Sequence, residues 1–335
     1  MGDALLFKPL RLREISLKNR VVVSPMLQYR AEDGHANDWH LVNAGRFVLG
    51  GAGLVMIEST KVERRGRGTI GDLGIWDDSH IPDHAHLVDF IRDNGAVAGL
   101  QISHSGRKAR RSLPWEGGRP LEPSPDLPPW DEWELVGPSA IPHSDRDPTP
   151  RALTTDEVRA MIETWGQAAR RAHRAGYDIL ELHGGHGYLF HQFISPAANR
   201  RNDAYGGSVE GRMRFALEVV ERVRAEWPPE KPLFLRLSVE DDAGWGPEQS
   251  VALARLVKPL GVDLIDCSAG GITGASIEQL DPVYGYQVPY AGQLRRDADI
   301  MTMAVGLIVH ADQAEDILQK GQADLIAIGR ELLYN

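Results

Sequence analysis

Two imidazoles and a phenol fall within six positions at His183, His186 and Tyr188, directly after the apolar run that contains Ile179, Leu180 and Leu182. Imidazoles three residues apart can converge on one oxygen atom, and a phenol adds a weak acid of ordinary pKa about 10. That set suits polarising an oxygen and moving a proton. A single histidine here would more often be a satisfied structural residue, but two with a tyrosine at the end of a strand favour a site. Gly184, Gly185 and Gly187 let the backbone leave a sheet at angles that a side chain forbids. A zinc site of His183, His186 and His191 is the sharper rival, yet few carboxylates flank these residues and the rest of the chain points to a different ligand.

The elements that must position these residues are strand-length apolar runs alternating with helix-like ones. The runs are residues 21–24, 54–58, 97–102, 179–182, 233–237, 264–267, 301–305 and 325–328. Helices are expected over 39–49, 83–94, 155–175, 209–227, 247–260 and 311–320, the third opening on Thr155 with Asp156 and Glu157 in its first turn. Eight βα repeats predict an α/β chain folded as a (β/α)8 TIM barrel, with its site at the carboxyl ends of the strands. Those ends present Ser24, Pro25 and Met26, then Ser59, Gln101, His183, His186, Arg236 and Ser268. Gly306 and the Gly329–Arg330 pair follow the seventh and eighth strands, where such barrels commonly hold a phosphate. Residues 107–150, rich in Pro, Trp and Gly, form a long excursion after the third strand, either a lid over the site or a contact surface. No linker or repeat divides residues 1–335, which are expected to form one domain.

Composition narrows the class further. A net charge of −10 argues against a nucleic-acid partner. No apolar run is long enough to span a bilayer, and the first residues lack a secretory pattern. Cys267 is the sole cysteine, so no internal disulfide can form and a cytoplasmic setting is expected. Its strand-like surroundings suggest a buried, inert thiol.

With these residues assembled, the sequence resembles the Old Yellow Enzyme family of flavin-dependent ene-reductases, in particular its thermophilic-like bacterial branch. The resemblance is carried by residues 6–10 (LFKPL), 17–20 (LKNR), 24–26 (SPM) with Tyr29, and 72–76 (DLGIW). It continues through 101–109 (QISHSGRKA), 183–188 (HGGHGY), Ser195–Pro196, 199–203 (NRRND) and 205–208 (YGGS). It implies a non-covalent FMN at the strand ends, with NADPH or NADH as reductant. Ser24, Pro25, Met26 and Leu27 would face the N5 and O4 edge with Ser59 nearby, Gln101 the pyrimidine edge, and Arg236 the N1 and C2 carbonyl side. Gly306, Gly329 and Arg330 would hold the phosphate. His183 and His186 would hold the oxygen of an electron-poor alkene such as an enone, enal, maleimide or nitroalkene. Tyr29 would close the pocket, and Tyr188 would protonate the α-carbon after hydride transfer. A homodimer or homotetramer is implied as well.

Two departures stand out. Leu27 takes a position where this branch usually has cysteine and others often threonine, so no hydrogen bond to the flavin comes from that side chain. The chain also stops at Asn335, within what reads as the closing C-terminal helix, and truncation is expected. Two other classes remain in competition: a metal-dependent TIM-barrel hydrolase using the three histidines, and a flavin-binding protein without turnover.

Overall fold

The structure is a computed structural model that describes residues 4–125, 127–129, 132–273 and 283–334. A short hairpin, β1 (Leu10–Leu12) and β2 (Ile15–Leu17), precedes the first barrel strand, β3 (Val21–Val23). The remaining barrel strands are β4 (Leu54–Lys61), β5 (Val97–Ser103), β8 (Ile179–Gly184), β9 (Leu233–Ser238), β10 (Leu264–Ser268), β11 (Met301–Ala304) and β12 (Leu325–Ile328). All pair in parallel, and the ring closes through β12 against β3. The two short strands β6 (Val136–Gly137) and β7 (Arg151–Ala152) pair outside it.

Side chains alternate across each strand, so every second residue points into the barrel. Phe234, Ile179 and Leu264 are inward residues at the amino-terminal end, where they pack with Met56, Met303 and Leu325 over Leu12 and Leu17 of the hairpin. Two steps further the same inward rows become polar: Phe234 leads to Arg236 and Ser238, Ile179 to Glu181 and His183, Leu264 to Asp266 and Ser268. The register aligns His183 with Arg236 and Arg236 with Asp266, so these groups form one layer above the apolar plug. Outward residues of the same strands, among them Leu233, Leu235 and Ile265, join the shell packed under the helices.

The helices are α1 (Asp38–Leu49), α2 (Ile81–Asp93), α3 (Thr155–Arg174), α4 (Leu189–Ile194), α5 (Val209–Glu226), α6 (Pro247–Val257), α7 (Val288–Ala298), α8 (Ala311–Gln319) and α9 (Glu331–Tyr334). Thr154 caps α3: its hydroxyl accepts from the Glu157 N–H while Glu157 returns a bond to the Thr154 N–H, a reciprocal cap that satisfies two free donors. Proline opens α2, α6 and α7, where its missing N–H costs nothing.

The expected helices and strands are present, with ends that coincide or shift by at most three residues. Strand β4 is the main correction, running to Lys61 instead of stopping at Glu58, with a register shift between Ile57 and Thr60. Helix α7 and the hairpin were not anticipated. Trp130 of the excursion and the terminal Asn335 lie outside the described residues.

Candidate active site

The loop after β8 is shaped by close backbone approaches. Gly187 has φ +72°, and a Cβ there would stand 2.1 Å from the Gly271 carbonyl oxygen. His186 itself takes φ +54°, an uncommon conformation for a residue with a side chain. Three contacts hold it there: its N–H donates to Ser238 Oγ at 2.9 Å, and its carbonyl accepts from Lys108 Nζ at 2.9 Å, while Gly271 packs against its Cα.

Hydrogen bonds fix the imidazole tautomers. The Gly185 N–H donates to His183 Nδ1 at 3.2 Å, which leaves the proton on His183 Nε2, 3.2 Å from His186 Nδ1. His186 then carries its proton on Nε2 and donates to Ser268 Oγ at 2.7 Å. With the Gln287 amide turned to present its oxygen, Ser268 donates onward to it at 3.3 Å. Both rings are neutral, since burial first, then neighbouring cations including Arg236, holds their pKa values well below the usual histidine range. The Tyr188 ring lies against His183, centroids 4.8 Å apart. Burial, with Asp72 and Tyr29 close by, raises its phenol pKa.

A cavity of 490 Å³ opens beside this loop, lined by Ser24, Pro25, Met26, His186, Arg236, Ser268, Gly306, Gly329 and Arg330, with Tyr286 and Gln287. That volume is within the range of about 300–1,000 Å³ typical of small-molecule sites. Arg236 is anchored from below, its Nε 3.2 Å from Asp266 Oδ2 and its Nη1 donating to Ser24 Oγ at 3.2 Å. Burial pushes the Asp266 carboxyl upward and the arginine opposes that shift. Gly306 has φ +110°, and a Cβ on Gly329 would project into the cavity, meeting nothing nearer than Met26 Sδ at 3.7 Å.

The predicted residues therefore divide between the cavity and a cluster beside it. Leu27, Tyr29, Ser59, Gln101, His183 and Tyr188 do not line the cavity; His186 joins the two groups, lining one and bonding to His183 of the other. Gln101 donates to Glu181 Oε1 at 2.8 Å inside the barrel. Tyr29 sits under the excursion, edge-on to Trp115 with centroids 6.3 Å apart, and burial with Asp72 and Glu58 pushes its phenol up to about 12. His191 turns away from the other two histidines: its Nδ1 accepts from the Gly187 N–H at 3.0 Å and its Nε2 lies 3.5 Å from Asp241. Among the described residues no three potential ligands gather in a metal-holding group. Cys267 is buried and free.

Sequence reasoning passed over Lys61, Asp72, Lys108, Tyr286 and Gln287. Lys108 sits in the 101–109 motif and could have been singled out as a cation shortly after a strand end. Lys61 reads as a surface lysine until β4 is seen to continue through it. Tyr286 and Gln287 carry no local signal.

A closed parallel barrel with a ligand-sized cavity and a neutral imidazole pair at its carboxyl ends is the architecture of a (β/α)8-barrel enzyme. The model of the NADH:flavin oxidoreductase / NADH oxidase family matches residues 5–335. An NADPH dehydrogenase of Geobacillus sp. (strain WCH70) is 41% identical over 338 aligned positions, covering 99% of this chain and 92% of that protein. One from Bacillus subtilis (strain 168) is 40% identical, covering 98% and 91%. A solved morphinone reductase in complex with tetrahydroNAD superposes with a TM-score of 0.78 at 28% identity, covering 98% of this chain and 87% of that one. The chain belongs to the NADH:flavin oxidoreductase / NADH oxidase family, the Old Yellow Enzyme family, and is an FMN-dependent oxidoreductase. The residues present fit that cofactor: an anchored arginine faces the cavity, and two glycines with Arg330 stand where a phosphate needs N–H groups and charge. No described helix is long and apolar enough to cross a membrane.

Proposed function

We propose that this enzyme reduces the C=C bond of electron-poor alkenes such as enones, enals, maleimides and nitroalkenes, at the expense of NADPH or NADH. The observation that carries this reading is the neutral His183–His186 pair with the Tyr188 ring against it, adjoining the cavity that Arg236 faces. FMN held in this cavity would supply a two-electron hydride carrier between the nicotinamide and the alkene.

The protein's residues do the rest. Gly306, Gly329 and Arg330 hold the phosphate, and Arg236 holds the ring edge on which reduction places negative charge. Ser24, Pro25 and Met26 would frame the opposite edge, while Leu27, Ser59 and Gln101, which do not line the cavity, would reach the ring only by rearranging, Gln101 leaving Glu181. The substrate oxygen takes the place of His186 Nδ1 as acceptor of the His183 Nε2 proton, and a turn of the His186 ring frees a second donor. These donors draw electron density from the alkene and stabilise the developing enolate oxygen. Tyr29 covers the pocket, and Tyr188 gives its proton to the α-carbon as general acid. Nicotinamide and alkene use the same space in turn, so the kinetics are ping-pong. The protein works as a homodimer or homotetramer in this reading.

The test is direct. Purified protein should be yellow and should turn over 2-cyclohexenone with NADPH. His183→Ala should keep FMN while losing about a hundredfold to a thousandfold in kcat, the usual cost of one such donor. Colourless protein carrying stoichiometric zinc, or undiminished turnover in His183→Ala, would reverse the assignment.

A further inference from the structure

The carboxyl end of β4 holds a charge that none of these roles uses. Lys61 is wholly buried, and its three ammonium protons face three acceptors: Ser59 Oγ at 2.9 Å, Ser103 Oγ at 3.4 Å and Asp72 Oδ2 at 3.4 Å. Asp72 in turn accepts from the Gly68 N–H and the Thr69 hydroxyl, each at 2.7 Å. The lysine nitrogen stands 4.8 Å from the centre of the Tyr188 ring, and Lys108 Nζ lies 5.7 Å from the same centre.

A buried ammonium is costly, and an apolar residue would fill the same space without that penalty. Its placement gives it a task. A cation near an aromatic ring is attracted to the ring's π electrons, and more strongly once the ring carries a full negative charge. Tyr188 needs that help: burial, Asp72 and Tyr29 all oppose its ionisation, while Ser105 and Arg111 favour it. His183, tilted against the ring, is neutral and offers no counter-charge.

We propose that Lys61, locked by Asp72, Ser59 and Ser103, is a positioning residue that stabilises the Tyr188 phenolate formed when the phenol protonates the substrate. The proposal rests on reading Tyr188 as the proton donor. In that step the Tyr188 O–H bond breaks and a C–H bond forms at the enolate α-carbon. The negative charge moves from the enolate to the phenolate beside Lys61, and water then returns the proton to Tyr188. The same lysine fixes the Ser59 hydroxyl as acceptor, which leaves the Ser59 proton free to donate elsewhere.

A fluorinated tyrosine placed at position 188 of the FMN-loaded protein, being more acidic than tyrosine, makes the titration readable by 19F NMR without any turnover. Lys61→Met should raise the midpoint by about one pH unit, a tenfold loss of phenolate stabilisation. Lys61→Arg, which keeps a buried cation beside the ring, should leave it close to the parent value, whereas mere loosening of the site would move both variants the same way. Lys61→Met should also slow alkene-driven reoxidation about tenfold while leaving reduction by the nicotinamide unchanged. An unmoved or lowered midpoint in Lys61→Met, or an equal rise in Lys61→Arg, would overturn the proposal. Should Lys61→Met fail to fold, Lys61→Gln takes its place, and an unmoved or lowered midpoint there would overturn it. Absence of any alkene turnover would sink the ene-reductase reading but leave the titration standing as a test of the Lys61 contact.

Discussion

The chemistry of single residues here is set by which hydrogen each one holds. A backbone N–H on His183 Nδ1 determines the tautomer of both imidazoles, and the chain of donors runs from His183 through His186 to Ser268. Neutral rings of this kind donate to an oxygen without first having to lose a charge, so their contribution should not fade across the neutral pH range. Leu27 is the residue that offers nothing polar beside the expected flavin edge. Replacing it with threonine or cysteine should shift the flavin midpoint potential measurably in spectroelectrochemistry; identical midpoints for the parent and both variants would show that this position does not tune the cofactor. At this scale the sequence was informative where a side chain's type is rare at a strand end, as with His183, His186, Tyr188 and Arg236. It was silent about Lys61, because a lysine after Ser59 and Thr60 looks like the start of a loop and only its pairing with β5 and Asp72 buries it.

At the scale of elements, the loop after β8 is held in place by glycine contacts with the loop after β10. Gly187→Ala has to satisfy a positive φ and also displace the Gly271 carbonyl, a combination expected to cost about 2–4 kcal/mol. Gly51 provides the control: it has φ +94° with nothing within 4 Å of an added Cβ, so Gly51→Ala should cost only about 1 kcal/mol. Urea denaturation of the two variants separates conformational strain from the clash, and equal losses would contradict the close approach. The eight barrel strands were legible because both their faces are buried and their apolar runs are short and regular. Helix α7 was not, since Pro289, Tyr290 and Gly292 blur its periodicity. The three-residue strands of the hairpin are too brief to leave a pattern.

At the scale of the whole molecule, the barrel stacks an apolar plug, a polar layer of His183, Arg236 and Asp266, and then the open mouth, along the same inward rows of side chains. This order keeps the reacting end polar and seals the other end, and it was foreseeable from period-two alternation once eight strands were recognised. The sharing of one pocket by two substrates is the claim on which the functional reading turns. Anaerobic stopped-flow tests it: the enzyme is reduced with NADPH or NADH, freed of nicotinamide, and mixed with a panel of electron-poor alkenes. The expected result is bleaching of the flavin band by the nicotinamide and its full return on mixing with an enone or maleimide, with excess nicotinamide competing against the alkene. Bleaching that no alkene reverses faster than buffer alone would contradict it.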